Sequence, residues 1–172
     1  QMTVVFIGLV VCLLLALLVI NVRFLEPYYI SIKQSEFIQM YEELNDAVDE
    51  DGLEDEEVLA SLRRRAEKNN ISFLVLDQQE KRVVTNVHDM ELLQNQLMGY
   101  LLNQTQKNSS VLERTDDYEL MQSRDPWNKT DYIEMWGSFD NGNQFLLRSP
   151  LESIKESAAI SNRFLIYIGC VL

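Results

Sequence analysis

Chemistry in a chain begins with side chains that can hold a proton, a metal or a nucleophile, and here they are sparse. The 172 residues contain one histidine, His88, in Asn86-Val87-His88-Asp89-Met90. No cysteine or second histidine stands near it to complete a metal site, so it reads as a surface or helix-start histidine. A Ser/His/Asp set therefore lacks its base, and six glycines scattered singly offer no phosphate loop. The acidic stretch Asp46-Ala47-Val48-Asp49-Glu50-Asp51-Gly52 invites comparison with a calcium loop. With Gly52 as loop position six, Asp49 and Asp51 fall at positions three and five, but position one is Ala47 and position twelve is Val58. Two ligands are missing, and the stretch reads as a solvated turn between helices. One further cluster could bind a small molecule: Arg124, Trp127, Tyr132 and Trp136 form an aromatic set with a single cation. Tyr132 and Trp136 also read as strand residues on one face, packed as core. No catalytic residue and no metal ligand is assigned.

The elements that would position such a cluster follow from how charge is distributed. The charged residues, 27 Asp+Glu and 15 Lys+Arg, all lie between Arg23 and Arg163 and leave a formal net charge of −12. An acidic middle is therefore bracketed by two uncharged ends. That balance excludes a nucleic-acid surface, which needs excess Lys and Arg against phosphate. With 47% hydrophobic residues the chain is not a disordered acidic one either. Residues 4–20 are seventeen consecutive apolar residues, extended by Met2, Thr3 and Val22 to the length of a bilayer span. A signal peptide would be shorter and would end in a small-residue cleavage site, which is not evident before Arg23. Residues 1–22 are thus expected to be an uncleaved transmembrane helix. Residues 164–172 are nine apolar residues, too few to span, and read as the start of a second transmembrane helix. The first residue is Gln, and both ends are expected to be cut from a longer protein.

Two spans would place residues 23–163 on one side of a cell membrane, and their acidity favours the extracytoplasmic side over an anionic cytoplasmic leaflet. Cys12 and Cys170 both fall in the apolar ends, leaving the middle without disulfide or thiol chemistry. Asn103-Gln-Thr, Asn108-Ser-Ser and Asn128-Lys-Thr match the N-glycosylation pattern, which Asn-rich sequence produces by chance.

Within the middle, residues 23–52 read as a membrane-proximal signalling helix, with Pro27 either kinking it or starting a new turn. Phe37, Tyr41, Leu44 and Val48 recur at four, three and four, a coiled-coil-like stripe. From Glu42 to Glu57 there are ten acidic residues and no basic one, a run whose role the pattern leaves open. Residues 53–149 read as a sensor domain. A second helix from about Leu53 to Lys68 carries Leu59, Leu62 and Ala66 on one face. Ile71 to Leu76 reads as a buried central strand, turning through residues 77–80 into residues 81–85. A helix over about 89–103 follows, carrying Met90, Leu93, Leu97 and Leu101. Three more strands are expected, near 111–114 or 118–122, at 132–139 and at 144–148. Asn141-Gly142 between the last two is a hairpin signal of the two-residue kind. The order helix, two strands, helix, three strands predicts an α+β fold with a five-stranded antiparallel sheet, the layout of a PAS-like sensor domain. Residues 150–172 read as a signalling helix running into the second membrane segment, because Leu151, Ile154, Ala158, Ser161, Leu165, Ile168 and Leu172 repeat at three and four. A stripe this regular favours a helix paired with its own copy, so a homodimer is expected, although a core-facing helix gives a similar stripe over shorter lengths.

Three segments make the resemblance specific: Phe24-Leu25-Glu26-Pro27-Tyr28-Tyr29, Asn70-Ile71-Ser72-Phe73-Leu74-Val75-Leu76-Asp77, and Leu146-Leu147-Arg148-Ser149-Pro150-Leu151-Glu152-Ser153-Ile154 leading through Ser161-Asn162-Arg163-Phe164. Over nearly its whole length the chain resembles the sensory half of a bacterial two-component sensor histidine kinase. The resemblance implies that a linker, a dimerising histidine-bearing domain and an ATP-binding domain follow residue 172, with ATP and magnesium as cofactors there and none here. It also implies phosphorelay to a cognate response regulator, in answer to an extracellular ligand whose identity the sequence does not give. The histidine box of such kinases overlays Phe145-Leu146-Leu147-Arg148-Ser149-Pro150 at Leu147, Arg148 and Pro150. Phe145 occupies the nucleophile's place, so the segment reads instead as a strand end and helix start, with Pro150 at an early helical position. Two alternatives share the plan: the sensor part of another membrane receptor, such as a chemotaxis receptor or cyclase, and a structural or adhesive membrane-anchored protein.

Overall fold

The computed structural model describes residues 2–49, 53–78, 81–102, 109–125 and 129–151. Backbone proximity divides the chain into two compact units, residues 1–32 with 152–172, and residues 33–151.

The first unit is described by the opening part of helix α1 (Met2–Asp49). Pro27 lies inside this helix, so of the two alternatives at that position the new turn is ruled out. Its apolar side chains face outward, with Val5 70%, Phe6 67% and Leu9 63% exposed. No helix among the described residues is long and apolar enough to cross a membrane. The apolar run of the sequence includes Val4 and Leu18, whose side chains fall outside the described set.

The second unit is built on one antiparallel sheet. Its strands are β1 (Ser72–Asp77), β2 (Arg82–Thr85), β3 (Ser109–Arg114), β4 (Tyr118–Arg124), β5 (Asp131–Ser138) and β6 (Gln144–Pro150). They lie in the order β2-β1-β6-β5-β4-β3. Helices α2 (Glu56–Lys68) and α3 (Met90–Leu101) complete the unit. The α+β class holds, but among the described residues the sheet has six strands and not five. Residues 111–114 and 118–122, weighed as alternatives for one strand, fall in β3 and β4, which are paired with each other.

Alternation along the strands sorts the sheet into two faces. One carries Phe73, Val75, Ile133, Met135, Phe145 and Leu147, all fully buried. Against it sits the last part of α1, where Phe37 and Leu44 are 0% exposed. Tyr41 places its ring 5.2 Å from those of Tyr118 and Phe145. Each fully buried side chain of this size contributes about 1.5–3 kcal/mol by leaving water. The stripe read as coiled-coil-like therefore packs on the chain's own sheet. A helix over a sheet and a helix on its copy need the same apolar spacing, which is why periodicity did not separate them.

Helix α2 begins where Asp55 accepts the Glu57 N–H at 2.8 Å, a cap worth about 1 kcal/mol. Its end is held by Lys33, whose Nζ donates to the Asn69 carbonyl at 2.5 Å and pairs with Glu36 at 2.7 Å. Helix α3 covers the opposite face, joining Leu93, Leu97 and Tyr100 to Leu74, Met121 and Leu146.

Two local expectations are corrected. The β5–β6 connection is not a two-residue turn: Phe139 N–H donates to Asn143 O and Gly142 N–H to Phe139 O, both at 2.8 Å, which leaves a three-residue loop. Gly142, at φ +85°, is the only one of residues 140–143 with a positive φ, whereas a two-residue Asn-Gly turn needs two. Pro150 is not an early helical residue but the last of β6, opposite Tyr132. A strand tolerates proline where its N–H faces away from the ladder. Leu151 follows, 4% exposed, its N–H donated to Asp131 O at 2.8 Å. The remaining seam positions, Ile154, Ala158, Ser161, Leu165, Ile168 and Leu172, lie outside the described residues.

Candidate functional site

A carboxylate in the middle of a sheet needs a reason, and Glu134 is 0% exposed. It stands on β5 between Ile133 and Met135, and the register places it directly opposite Arg148 of β6. Opposite charges facing across two strands pin register as well as neutralise each other. Arg148 Nε lies 2.9 Å from Glu134 Oε1. Neither atom has an aligned hydrogen bond, so this contact is coulombic. The second oxygen, Oε2, is better served: it accepts from the hydroxyls of Ser123, at 2.5 Å, and Tyr100. Tyr100 Oη in turn accepts from Gln96 Nε2 at 2.9 Å. One buried carboxylate thereby ties α3, β4, β5 and β6 together.

Arg148 is held from two more directions. Its Nη2 lies 3.3 Å from Asp125 Oδ2, just past the end of β4, and its guanidinium carbon stands 3.7 Å above the Tyr132 ring. A cation over an aromatic face gains most where water is excluded, and the Arg148 side chain is 7% exposed. Beside the cluster Trp136 stacks on Tyr100 at 5.5 Å, and its indole Nε1 is buried without a partner. Burial first, then the Glu134 carboxylate, pushes the Tyr100 hydroxyl well above its ordinary pKa. Tyr100 is therefore a neutral donor at any ordinary pH.

Of the sequence-selected residues, the three that are described are not brought together: Arg124 lies apart from Tyr132 and Trp136. Tyr132 and Trp136 share the α3 face of β5, one under Arg148 and one against Tyr100. Arg124 pairs with Asp131, which alternation turns to the opposite face, and sits 3.7 Å from its carboxylate at the strand end. Trp127 lies outside the described residues. The cation beside the aromatic pair is Arg148 and not Arg124. The sequence reading missed Tyr100, Ser123, Asp125, Glu134 and Arg148. A signal was present: Glu134 lies between Ile133 and Met135, and Arg148 follows the apolar run Phe145-Leu146-Leu147. Their mutual partnership needed the register.

An open depression of about 500 Å³ reaches this cluster from the strand ends, lined by Ser109, Ser110, Gln122, Ser123, Arg124 and Asp131. Ser123 belongs to both the depression and the Glu134 network. Among the described residues no group of His, Cys, Asp and Glu is placed to hold a metal ion. His88 is exposed in the bend before α3. The arrangement offers hydroxyl, guanidinium and aromatic groups for recognition. No protein family, curated protein or solved structure matches the chain.

Proposed function

We propose that this chain is the sensing and transmembrane part of a membrane receptor, a two-component sensor histidine kinase whose kinase part follows residue 172. In this reading residues 1–22 are the first membrane helix and 164–172 the start of the second. Residues 33–151 form a PAS-like sensor outside the membrane, with one strand more than five. The observation that carries the reading is helix α1. A single element, Met2–Asp49, has the uncharged run in its first part and the core residues Phe37, Met40, Leu44 and Val48 in its last. A helix of that composition supports the reading of a membrane anchor joined to a folded domain.

The candidate site lies close to the other exit of the domain. Arg148 is three residues from Leu151, the first position of the seam, and Leu151 is bonded to the residue beside Tyr132. A ligand shifts a signalling equilibrium only by its differential affinity for two states, and a site sharing β5 and β6 with the exit is placed to couple the two. The partner in this reading is a second copy of the chain, with a response regulator acting on the kinase part.

The test is to read the residues encoded after 172 and to incubate membranes holding the natural full-length protein with ATP. A histidine-bearing dimerisation segment, an ATP-binding domain and acid-labile phosphorylation are expected. A chain ending shortly after the second membrane segment would overturn the kinase reading and leave the adhesive alternative.

A further inference from the structure

A guanidinium that is 7% exposed cannot turn to water, so its positions are set by the carboxylates within reach. Arg148 has two, and they differ in kind. Glu134 is fully buried in the sheet and fixed by two hydroxyls. Asp125 stands in the connection after β4, 16% exposed at its side chain, with a longer contact of 3.3 Å. The described ends of that connection are bonded to each other: Asp125 N–H donates to Thr130 O at 2.9 Å and Lys129 N–H to Asp125 O at 3.0 Å. On the other side of Arg148, β6 ends within three residues at Leu151, held by its bond to Asp131 O.

We propose that Arg148 is a clasp: Glu134 is its permanent seat and Asp125 its releasable one, and the hold on Asp125 fixes the backbone at Leu151. The regulation assigned here deepens the sensor reading, but the clasp is a property of the chain itself. When Asp125 leaves, Arg148 keeps Glu134 and the sheet persists. What loosens is the end of β6 and its bond to β5. Tyr100 acts on the same clasp from α3, because its hydroxyl orients the Glu134 carboxylate that seats Arg148. Asp125 and Tyr100 are positioning residues acting through Arg148.

The experiment uses the whole 172-residue chain in lipid nanodiscs and reads backbone amide exchange residue by residue. Asp125→Asn removes the releasable seat's charge while keeping its shape. Tyr100→Phe removes one hydroxyl while the ring keeps its stack on Trp136. In Asp125→Asn, exchange at Leu151 is expected to rise about tenfold, with exchange at Val75 in the centre of the sheet unchanged. In Tyr100→Phe the rise at Leu151 is expected to be smaller, about threefold. A general loss of stability would raise Leu151 and Val75 together, and that outcome would overturn the clasp. Unchanged exchange at Leu151 in both variants would overturn it equally. The readout is the chain's own backbone, so a failure of the kinase reading leaves this result standing.

Discussion

Glu134 and Arg148 define the residue scale, because their energetics leave little room for substitution. Removing one partner of a buried pair strands the other charge, a loss of about 3–5 kcal/mol. Glu134→Gln is expected to lower the free energy of unfolding by about 3 kcal/mol, read as a shift in the urea midpoint at constant slope. A change within the range of exposed substitutions would mean that Arg148 finds enough in Asp125 alone. Tyr100 gives a pH signature. Its pKa is raised in the folded state by burial and then by Glu134. The stability this represents is present below the unfolded tyrosine pKa, about 10, and is lost as pH rises above it, since the unfolded chain gives up that proton first. Unfolding free energy is expected to fall steadily from about pH 10 upward, less steeply in Tyr100→Phe. Equal slopes in the two chains would contradict the assignment. Both members of the pair were visible in the sequence, Glu134 between Ile133 and Met135 and Arg148 after Phe145-Leu146-Leu147. That they face each other depends on the register of two strands joined by a turn whose length the local signal misjudged.

At the scale of elements, Gly137 shows how tightly the strands are fitted. A Cβ there would come within 2.0 Å of the Asp117 carbonyl oxygen, which accepts the Ser138 N–H at 2.9 Å. Gly137→Ala must displace backbone and is expected to cost about 2 kcal/mol in thermal unfolding, without altering the Glu134 cluster. A neutral result would mean that the β3–β4 turn moves aside freely. Such a close approach is invisible in sequence, where Gly137 is one of several isolated glycines. The helices and most strands were legible: α2 and α3 carry helical spacing, β1 and β6 contain short apolar runs, and a turn signal separates β5 from β6. The sixth strand was not. Residues 109–114 and 118–124 are separated by three residues, and either alone would complete a five-stranded sheet. The stripe of α1 was legible as a stripe but not as to its partner. The seam from Leu151 onward now carries the dimer reading alone. Single cysteines at Ile154 or Ala158 are expected to crosslink between copies in membranes, and one at Lys155 not to. Equal crosslinking at all three would count against the seam.

For the whole molecule, charge and apolarity are partitioned along the chain: two uncharged ends enclose a domain that carries a net charge of −12. The acidic run supplies much of that charge, and among the described residues it forms no cation site. Neutralising Asp49, Asp51, Asp55 and Glu56 together is expected to leave signalling intact at any calcium or magnesium concentration, at the expense of the α2 cap. The central claim is that residues 33–151 sense from outside the membrane what a second part answers inside. Its most direct measurement is the side on which the domain lies. With Cys12 and Cys170 replaced by alanine, a single cysteine at the exposed Glu67 of α2 is treated in intact cells with a membrane-impermeant thiol reagent. Labelling without permeabilisation is the expected result; labelling that appears only after the cells are opened would place the domain inside and contradict the account.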